Sequence, residues 1–361
     1  MEHEAKLLET LRFQQIGFSG ANAFGSPFYQ ALSDDLIADC EHDGPVTRVL
    51  APFAGESYEA AYVLRLLGGV HRMVLSGDAP ALAAYFPSTA GDGDAHAAYA
   101  EMCELMADPP PVVLDALTRP PQTNEVGRSV AIASGLLAIT LDVGMPLHLR
   151  EIGSSGGLNL RSDNYWYEQD GVGWGNAASP VRFVDLWVDG APPFASGVEI
   201  VDRRGCDRNP IDATTNEGAL TLLSYVWPEP ATRFQLARDA IALAHEAPVT
   251  IDQADADVWL PEQLAAPVSG TAFVVYHSVV WQYLGETTQT ALRTQLSAAG
   301  RAATPDTPLA WLRLEPNPEH YIPAELHLTL WDGSDDNPAD RLLATTNFHG
   351  GTINWLAGQA T

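Results

Sequence analysis

Helical spacing of apolar residues dominates the first third of the chain. From Glu4 to about Gly144, aliphatic side chains recur three or four positions apart, as in FYQALSDDLIADC, AYAEMCELM and VAIASGLLAITL. The segments between these stretches contain Gly and Pro, as in HDGP, STAGDGD and DPPP, which end helices or open turns. The pattern predicts an all-helical N-terminal domain over residues 1–122, followed by a helix that leads into the first strand.

After Gly144, short runs rich in β-branched and aromatic residues alternate with helical stretches, which is typical of an α/β sheet. The predicted strands are PLHLREIG, GVEIVDRR, APVTIDQAD, TAFVVYHSVV, PLAWLRLEP, AELHLTLW and RLLATTNF. Helical segments separate several of them, as parallel crossovers require. Only DGSDDNPAD separates the last two, which predicts an antiparallel hairpin at a sheet edge. Residues 123–361 therefore form one predicted α/β domain.

Composition and charge limit the molecules that this protein is expected to bind. The 361 residues include 19 Lys and Arg against 46 Asp and Glu, a formal net charge of −27. Because such a surface repels phosphate backbones and anionic lipid, we expect neither nucleic acid nor a membrane as a partner. The three well-separated cysteines predict no disulfide framework, and no metal-ligand spacing is present, so no metal is expected. The N-terminus has no secretory pattern, which predicts a cytoplasmic protein.

The most informative segment is LHLREIGSSGGLNLRSDNYWY, where a predicted strand ends at Glu151 and runs directly into a turn of small residues. The spacing is Glu151-x-Gly153-x-Ser155-x-Gly157. Small residues let a backbone approach a ligand closely, and amides at a following helix start bind a carboxylate or a phosphate. A tight corner after a strand also requires glycine, so the loop alone fits either a ligand cradle or a structural turn.

This spacing resembles the first motif of Rossmann-like S-adenosylmethionine-dependent methyltransferases, and the resemblance extends over the α/β half. It implies a Rossmann-like, mostly parallel sheet with a C-terminal antiparallel strand pair, S-adenosylmethionine as cofactor and a small-molecule methyl acceptor. Glu151 would orient the loop or the cofactor's amino group. The second strand would supply Asp202 for the ribose, and the third would supply Asp255 near the adenine. The fourth would present Tyr276 and His277 to the acceptor.

Asp202 follows Glu151 by far more than the about 20 residues of a simple strand–helix–strand unit. The resemblance therefore implies an insertion, and residues 165–190 are typical of a hairpin. The segments EIGSSGGLNLRSDNYWY, DRRGCDRNPID and YHSVVWQYL are also similar to an uncharacterised bacterial family of unknown function. That similarity supports the fold and names no substrate.

The same loop is also consistent with other functional hypotheses. Gly153-x-Ser155-x-Gly157 fits the nucleophile elbow of α/β hydrolases, with Ser155 as nucleophile and Asp332 and His349 completing a triad. Against a hydrolase, the His-Gly-Gly sequence follows the serine, whereas the oxyanion loop of that fold precedes it. A nicotinamide dehydrogenase and a non-catalytic nucleoside-binding module are further alternatives. An acidic chain suits a cationic sulfonium cofactor better than a pyrophosphate.

Three polar residues near predicted strand or helix ends have both a functional and a structural interpretation. His277 fits a general base or a hydrogen-bonded core histidine. Glu315, at the end of a strand, fits a carboxylate facing the crevice or a partner for Arg313. Arg128, in the helix before the first strand, fits a ligand for the cofactor's carboxylate or a salt bridge.

Overall fold

The N-terminal region is helical, as its apolar spacing predicts. The computed structural model describes residues 2–18, 25–56 and 60–357. Its helices are α1 (Glu2–Phe18), α2 (Pro27–Glu41), α3 (Pro45–Leu50), α4 (Tyr62–Ser76), α5 (Pro80–Ala83), α6 (Ala95–Ala107), α7 (Pro111–Leu117), α8 (Ser129–Val143), α9 (Asn216–Ser224), α10 (Ala231–Leu243), α11 (Ala256–Leu264) and α12 (Glu286–Arg301).

The chain divides into two compact units. The first comprises Met1–Thr123 and Thr215–Arg238, and the second comprises Asn124–Thr214 and Asp239–Thr361. In the first unit, α4 contributes a long buried face that includes Leu66, Leu67 and Val70. Helix α9 belongs to this unit although it follows the first strands in the chain, so the helical unit also draws on a later segment.

The second unit contains the strands of the α/β half. They are β1 (Leu147–Ile152), β2 (Trp166–Gln169), β3 (Val172–Gly175), β4 (Arg182–Val184), β5 (Trp187–Val188), β6 (Ile200–Asp207), β7 (Thr250–Gln253), β8 (Ala272–Ser278), β9 (Leu309–Asn317), β10 (Tyr321–Trp331), β11 (Arg341–Thr346) and β12 (Ile353–Trp355). Strands β2, β3 and β4 form a separate small sheet, in which β2 pairs antiparallel with β3 and parallel with β4. This sheet lies between β1 and β6 in the chain, where the sequence predicts an insertion.

The large sheet has nine strands in the order β5-β12-β11-β10-β9-β8-β1-β6-β7. Strands β7, β6, β1, β8 and β9 run parallel. The chain leaves β1 on one side for β6 and β7 and returns on the other side for β8 and β9, which is the order of a doubly wound sheet. The switch point of such a sheet lies where β1 and β8 end.

The predicted antiparallel pair is present as β10 and β11. The expectation that this pair forms the sheet edge is wrong, because β12 pairs with β11 and β5 pairs with β12. Strand β10 also runs antiparallel to β9, so the parallel region ends there.

Helices cover both faces of the large sheet. On one face, α8 packs closely enough that Gly135 lies against Leu312 of β9. On the other face, Leu292 and Leu296 of α12 share a core cluster with Trp331. The stretch Val126–Val143 is long and apolar enough to cross a membrane by length and composition, but 78% of it is buried in the protein. That burial is typical of an interior helix.

Candidate functional site

The glycine-rich loop follows β1 at the carboxyl edge of the parallel sheet, at the switch point. Gly153, Ser155 and Gly157 all have left-handed backbone angles, with φ of +73°, +49° and +66°. Ser155 adopts a conformation that residues with a side chain rarely take, and it is held by the segment after β6. Its N–H donates to Oδ2 of Asp207 at 2.9 Å, and its carbonyl accepts from the Ile211 N–H at 3.1 Å.

Neighbouring side chains pack against both glycines. A Cβ placed on Gly153 would lie 2.5 Å from Cγ2 of Val280, which belongs to the segment after β8. A Cβ placed on Gly157 would lie 2.9 Å from Cδ1 of Ile251. Both glycines are therefore required by close packing within the protein itself as well as by their backbone angles.

Polar contacts hold the rest of the loop. Nη1 of Arg161 donates to the carbonyls of Gly156 and Gly157, at 3.1 and 2.8 Å. The N–H of Leu158 donates to Oδ1 of Asn124 at 2.9 Å. The sequence singled out neither Arg161 nor the Asn124 contact with the loop, because both depend on how distant segments meet.

Glu151 lies beneath the loop in β1, the middle strand of the parallel region, with 1% of its surface exposed. Within the described residues, its Oε2 has no hydrogen-bond partner. Burial raises the pKa of Glu151 well above its usual range, and the Asp207 charge adds to this shift, whereas Ser154, Arg128 and Arg161 oppose it. The carboxyl group therefore favours its neutral form, in which it can donate or accept a hydrogen bond.

Asp202, which the resemblance implies for the ribose, does not lie at the end of its strand. Asp202 pairs in register with His148, near the start of β1, and forms an ion pair of 2.6 Å with Arg150. The predicted strand GVEIVDRR stops too early, because β6 continues to Asp207. Asp207, the last residue of β6, is half-buried and contacts the loop directly.

The sequence contains a signal for Asp207 that strand propensity obscured. Gly205 and Cys206 are small and buried, and they directly precede the acidic residue. Gly205 is also required by packing, since a Cβ there would lie 1.9 Å from Oγ of Ser154 in the loop. Strand β6 and the loop can therefore pack closely because Gly205 has no side chain.

Asp255 follows β7 at the same edge and directly precedes α11. It is exposed, and its Oδ1 accepts a hydrogen bond of 2.5 Å from Nε of Arg208. Arg208 immediately follows Asp207, so this contact links the segments that follow β6 and β7.

Tyr276 and His277 do not face one crevice, because adjacent residues of a strand point to opposite faces. Tyr276 pairs in register with Glu151 and is fully buried, and its hydroxyl has no partner within the described part of the chain. Burial raises the pKa of the Tyr276 phenol well above its usual range. His277 points to the face that carries α11 and α12.

Both ring nitrogens of His277 are engaged. Nδ1 lies 2.5 Å from Oε1 of Glu315, and Nε2 accepts from Nε1 of Trp311 at 3.2 Å. An indole N–H can only donate, so Nε2 carries no proton and Nδ1 donates to the carboxylate. His277 is thus a hydrogen-bonded buried histidine, and Glu315 is its partner, whereas the sequence suggested Arg313 as the partner of that acid.

The residues of the hydrolase alternative do not come together. Asp332 follows β10, whose last residue Trp331 pairs with Leu309 at the start of β9. Asp332 therefore lies at the edge of the sheet opposite to Ser155, more than about 15 Å away at the usual rise per residue. His349 follows β11 at the carboxyl edge, with Nδ1 3.4 Å from Oε2 of Glu125.

The remaining candidate roles concern Arg128 and metals. Arg128 donates through Nε to the Phe348 carbonyl at 2.9 Å and through Nη1 to the Ser278 carbonyl at 3.2 Å. It thereby connects the start of α8 to the ends of β8 and β11. Among the residues that the structure describes, no group of three or more His, Cys, Asp or Glu side chains could hold a metal ion.

The fold and the loop together define an α/β protein with a doubly wound sheet and a tight, acid-flanked loop at the switch point. Residues 13–355 match the model of a family described as "Uncharacterized protein conserved in bacteria (DUF2332)", and the chain belongs to this family. No curated protein and no solved structure matches the chain. The family assignment agrees with the similarity seen in the loop segment.

Proposed function

We propose that this protein binds S-adenosylmethionine at the loop after β1 and transfers its methyl group to a small molecule. The position of the loop supports the proposal. In open α/β sheets, ligands bind outside the carboxyl ends of the strands at the switch point, and the loop follows the strand at that point. Glu151 and Asp207 flank the loop on neighbouring strands.

The observation that carries the proposal is that Oε2 of the buried Glu151 has no hydrogen-bond partner within the described residues. A buried polar atom without a hydrogen-bond partner costs about 1–3 kcal/mol, so such atoms in native proteins usually have a function or an unseen partner. A donor on a bound ligand, such as the amino group of the cofactor's methionine part, would satisfy Oε2 of Glu151.

Asp207 is the residue that we assign to the ribose hydroxyls, in place of Asp202. Its carboxylate already accepts the N–H groups of Ser155 and Asn209, one on each oxygen. An ionised carboxylate has about four acceptor sites, so two hydroxyl groups can still donate to it. Asp255, beyond it along the same edge, would lie toward the adenine.

A bound sulfonium cofactor supplies an activated methyl group with a good leaving group. The protein then contributes chiefly by holding the donor and the acceptor in line, which can account for several kcal/mol of barrier reduction. A general base is optional in such a reaction. His277 is not assigned this role, because its Nε2 lone pair is used by Trp311.

Calorimetric titration with S-adenosylhomocysteine tests the cofactor proposal. We expect micromolar binding to the native protein, a loss of roughly tenfold or more in Asp207→Asn, and little change in Asp202→Asn. The two variants remove the same charge from the same strand. Unfolding curves establish that both variants fold. Equal binding by both variants, or no binding by the native protein, would contradict the proposal.

A non-catalytic nucleoside-binding module is a second candidate, and one observation favours it: the conspicuous histidine at the end of β8 is fully engaged. Incubation of the protein with S-adenosylmethionine and a bacterial metabolite extract separates the two functions. A methyltransferase accumulates S-adenosylhomocysteine above the level of the Asp207→Asn control, whereas a binding module does not.

A further inference from the structure

The segment that follows β8 contains a strained residue. Val279 has φ of +51°, and a β-branched residue in this left-handed region costs on the order of 1–3 kcal/mol. The N–H of Val279 donates to the carbonyl of Leu314 on β9 at 2.8 Å, which holds this conformation. An extended φ at Val279 would relieve the strain and redirect the residues that follow.

Glu315 accepts hydrogen bonds from the backbone of Val280 and Trp281, the two residues after Val279. Its Oε1 accepts from the Val280 N–H at 3.2 Å, and its Oε2 accepts from the Trp281 N–H at 3.3 Å. The indole of Trp281 stacks on His277, with ring centroids 5.0 Å apart and planes at 17°. The guanidinium of Arg293 lies 5.0 Å from the Trp281 ring centroid.

These contacts direct the side chain of Val280 against the glycine loop. Cγ2 of Val280 occupies the space that a Cβ on Gly153 would need, at a distance of 2.5 Å. A ligand that uses the close backbone approach at Gly153 must therefore displace Val280. The strain at Val279 lowers the free energy needed for that displacement, because opening the segment releases it.

We propose that Val280 is a gate residue, which covers Gly153 in a closed state and swings away when the nucleoside cofactor enters. The proposal rests on the function proposed above. In the open state Val279 leaves the left-handed region, and the amides of residues 280 and 281 leave Glu315. The gate makes cofactor affinity depend on a residue that need not contact the cofactor.

Two substitutions with opposite expected effects test the gate. Val280→Ala removes the methyl groups that cover Gly153, so we expect S-adenosylhomocysteine to bind about tenfold tighter, chiefly through a faster association rate. Val279→Gly relieves the strain of the closed state alone, so we expect binding about fivefold weaker. Val258→Ala is the matched control, since Val258 lies on α11 with 66% of its surface exposed.

The results of these binding measurements test the gate proposal separately from the proposal of a cofactor site. Tighter binding in Val280→Ala together with weaker binding in Val279→Gly supports the gate. If the native protein binds and neither variant differs from Val258→Ala, the gate is refuted and the cofactor site stands. If neither the native protein nor Val280→Ala binds, both proposals fail. Thermal unfolding of each variant verifies that it is folded.

Discussion

Replacing Glu151 by Gln is expected to stabilise the protein, and to do so increasingly as the pH rises. Burial raises the pKa of Glu151 well above its ordinary value of 4.5, so the native protein keeps this proton at pH values where the unfolded chain loses it. Unfolding then releases one proton, and the native state loses stability as the pH rises from about 4.5 toward the native pKa. The glutamine side chain has nearly the same shape and never carries this charge.

The size of the stability difference between Glu151→Gln and the native protein follows from that single proton. One proton released on unfolding changes the free energy of unfolding by about 1.4 kcal/mol for each pH unit. The gap between Glu151→Gln and the native protein should therefore widen by up to about 1.4 kcal/mol per unit above pH 5, and level off once the native carboxyl ionises. The gain is partly offset at all pH values, because the amide must also find partners for its NH₂ group.

Urea unfolding curves at pH 5, 6 and 7, followed by circular dichroism, measure this gap. The control is Glu262→Gln, since Glu262 lies on α11 and is exposed to solvent. We expect a gap that does not change with pH for the control. A gap for Glu151→Gln that stays constant, or that shrinks as the pH rises, would refute the reasoning about the buried carboxyl group.

Two further predictions concern stability. His71 is fully buried, and burial lowers its pKa to about 4, so the free energy of unfolding should fall by up to about 3 kcal/mol as the pH falls from 6.5 to 4. In His71→Gln the free energy of unfolding should lack this contribution to the loss. The same pH profile in the variant and the native protein would contradict the prediction. Gly205→Ala should lower the free energy of unfolding by about 1–3 kcal/mol, because the new Cβ meets Oγ of Ser154. Adding Ser154→Gly should recover part of that loss, and full additivity of the two changes would show that the two positions do not interact.

The sequence predicts the architecture better than it predicts the site. Strand and helix periods are local, so the helical first third, the parallel strands and the loop after β1 follow from short windows of residues. The end of β6 does not, because the predicted strand stops with two consecutive charged residues, Arg203 and Arg204. In the structure each forms an ion pair, with Asp163 and Asp252 respectively, and the strand continues past them.

The site depends on contacts between segments that are distant in the chain. Asp207 meets Ser155 through the register of β1 and β6, whereas the resemblance implied Asp202, which lies earlier in the same strand. Val280 meets Gly153 through the pairing of β1 with β8. The Val280 contact has no local sequence signal, whereas the alternation of Tyr276 and His277 follows from the strand period alone.

A crystal structure of the protein grown with S-adenosylhomocysteine tests the central claim most directly. Our account predicts the ribose within hydrogen-bond distance of Asp207, the amino group of the ligand near Oε2 of Glu151, and Val280 displaced from Gly153. Density for the ligand at another place, or a complex in which Val280 still covers Gly153 and Asp207 contacts only the loop, would contradict it.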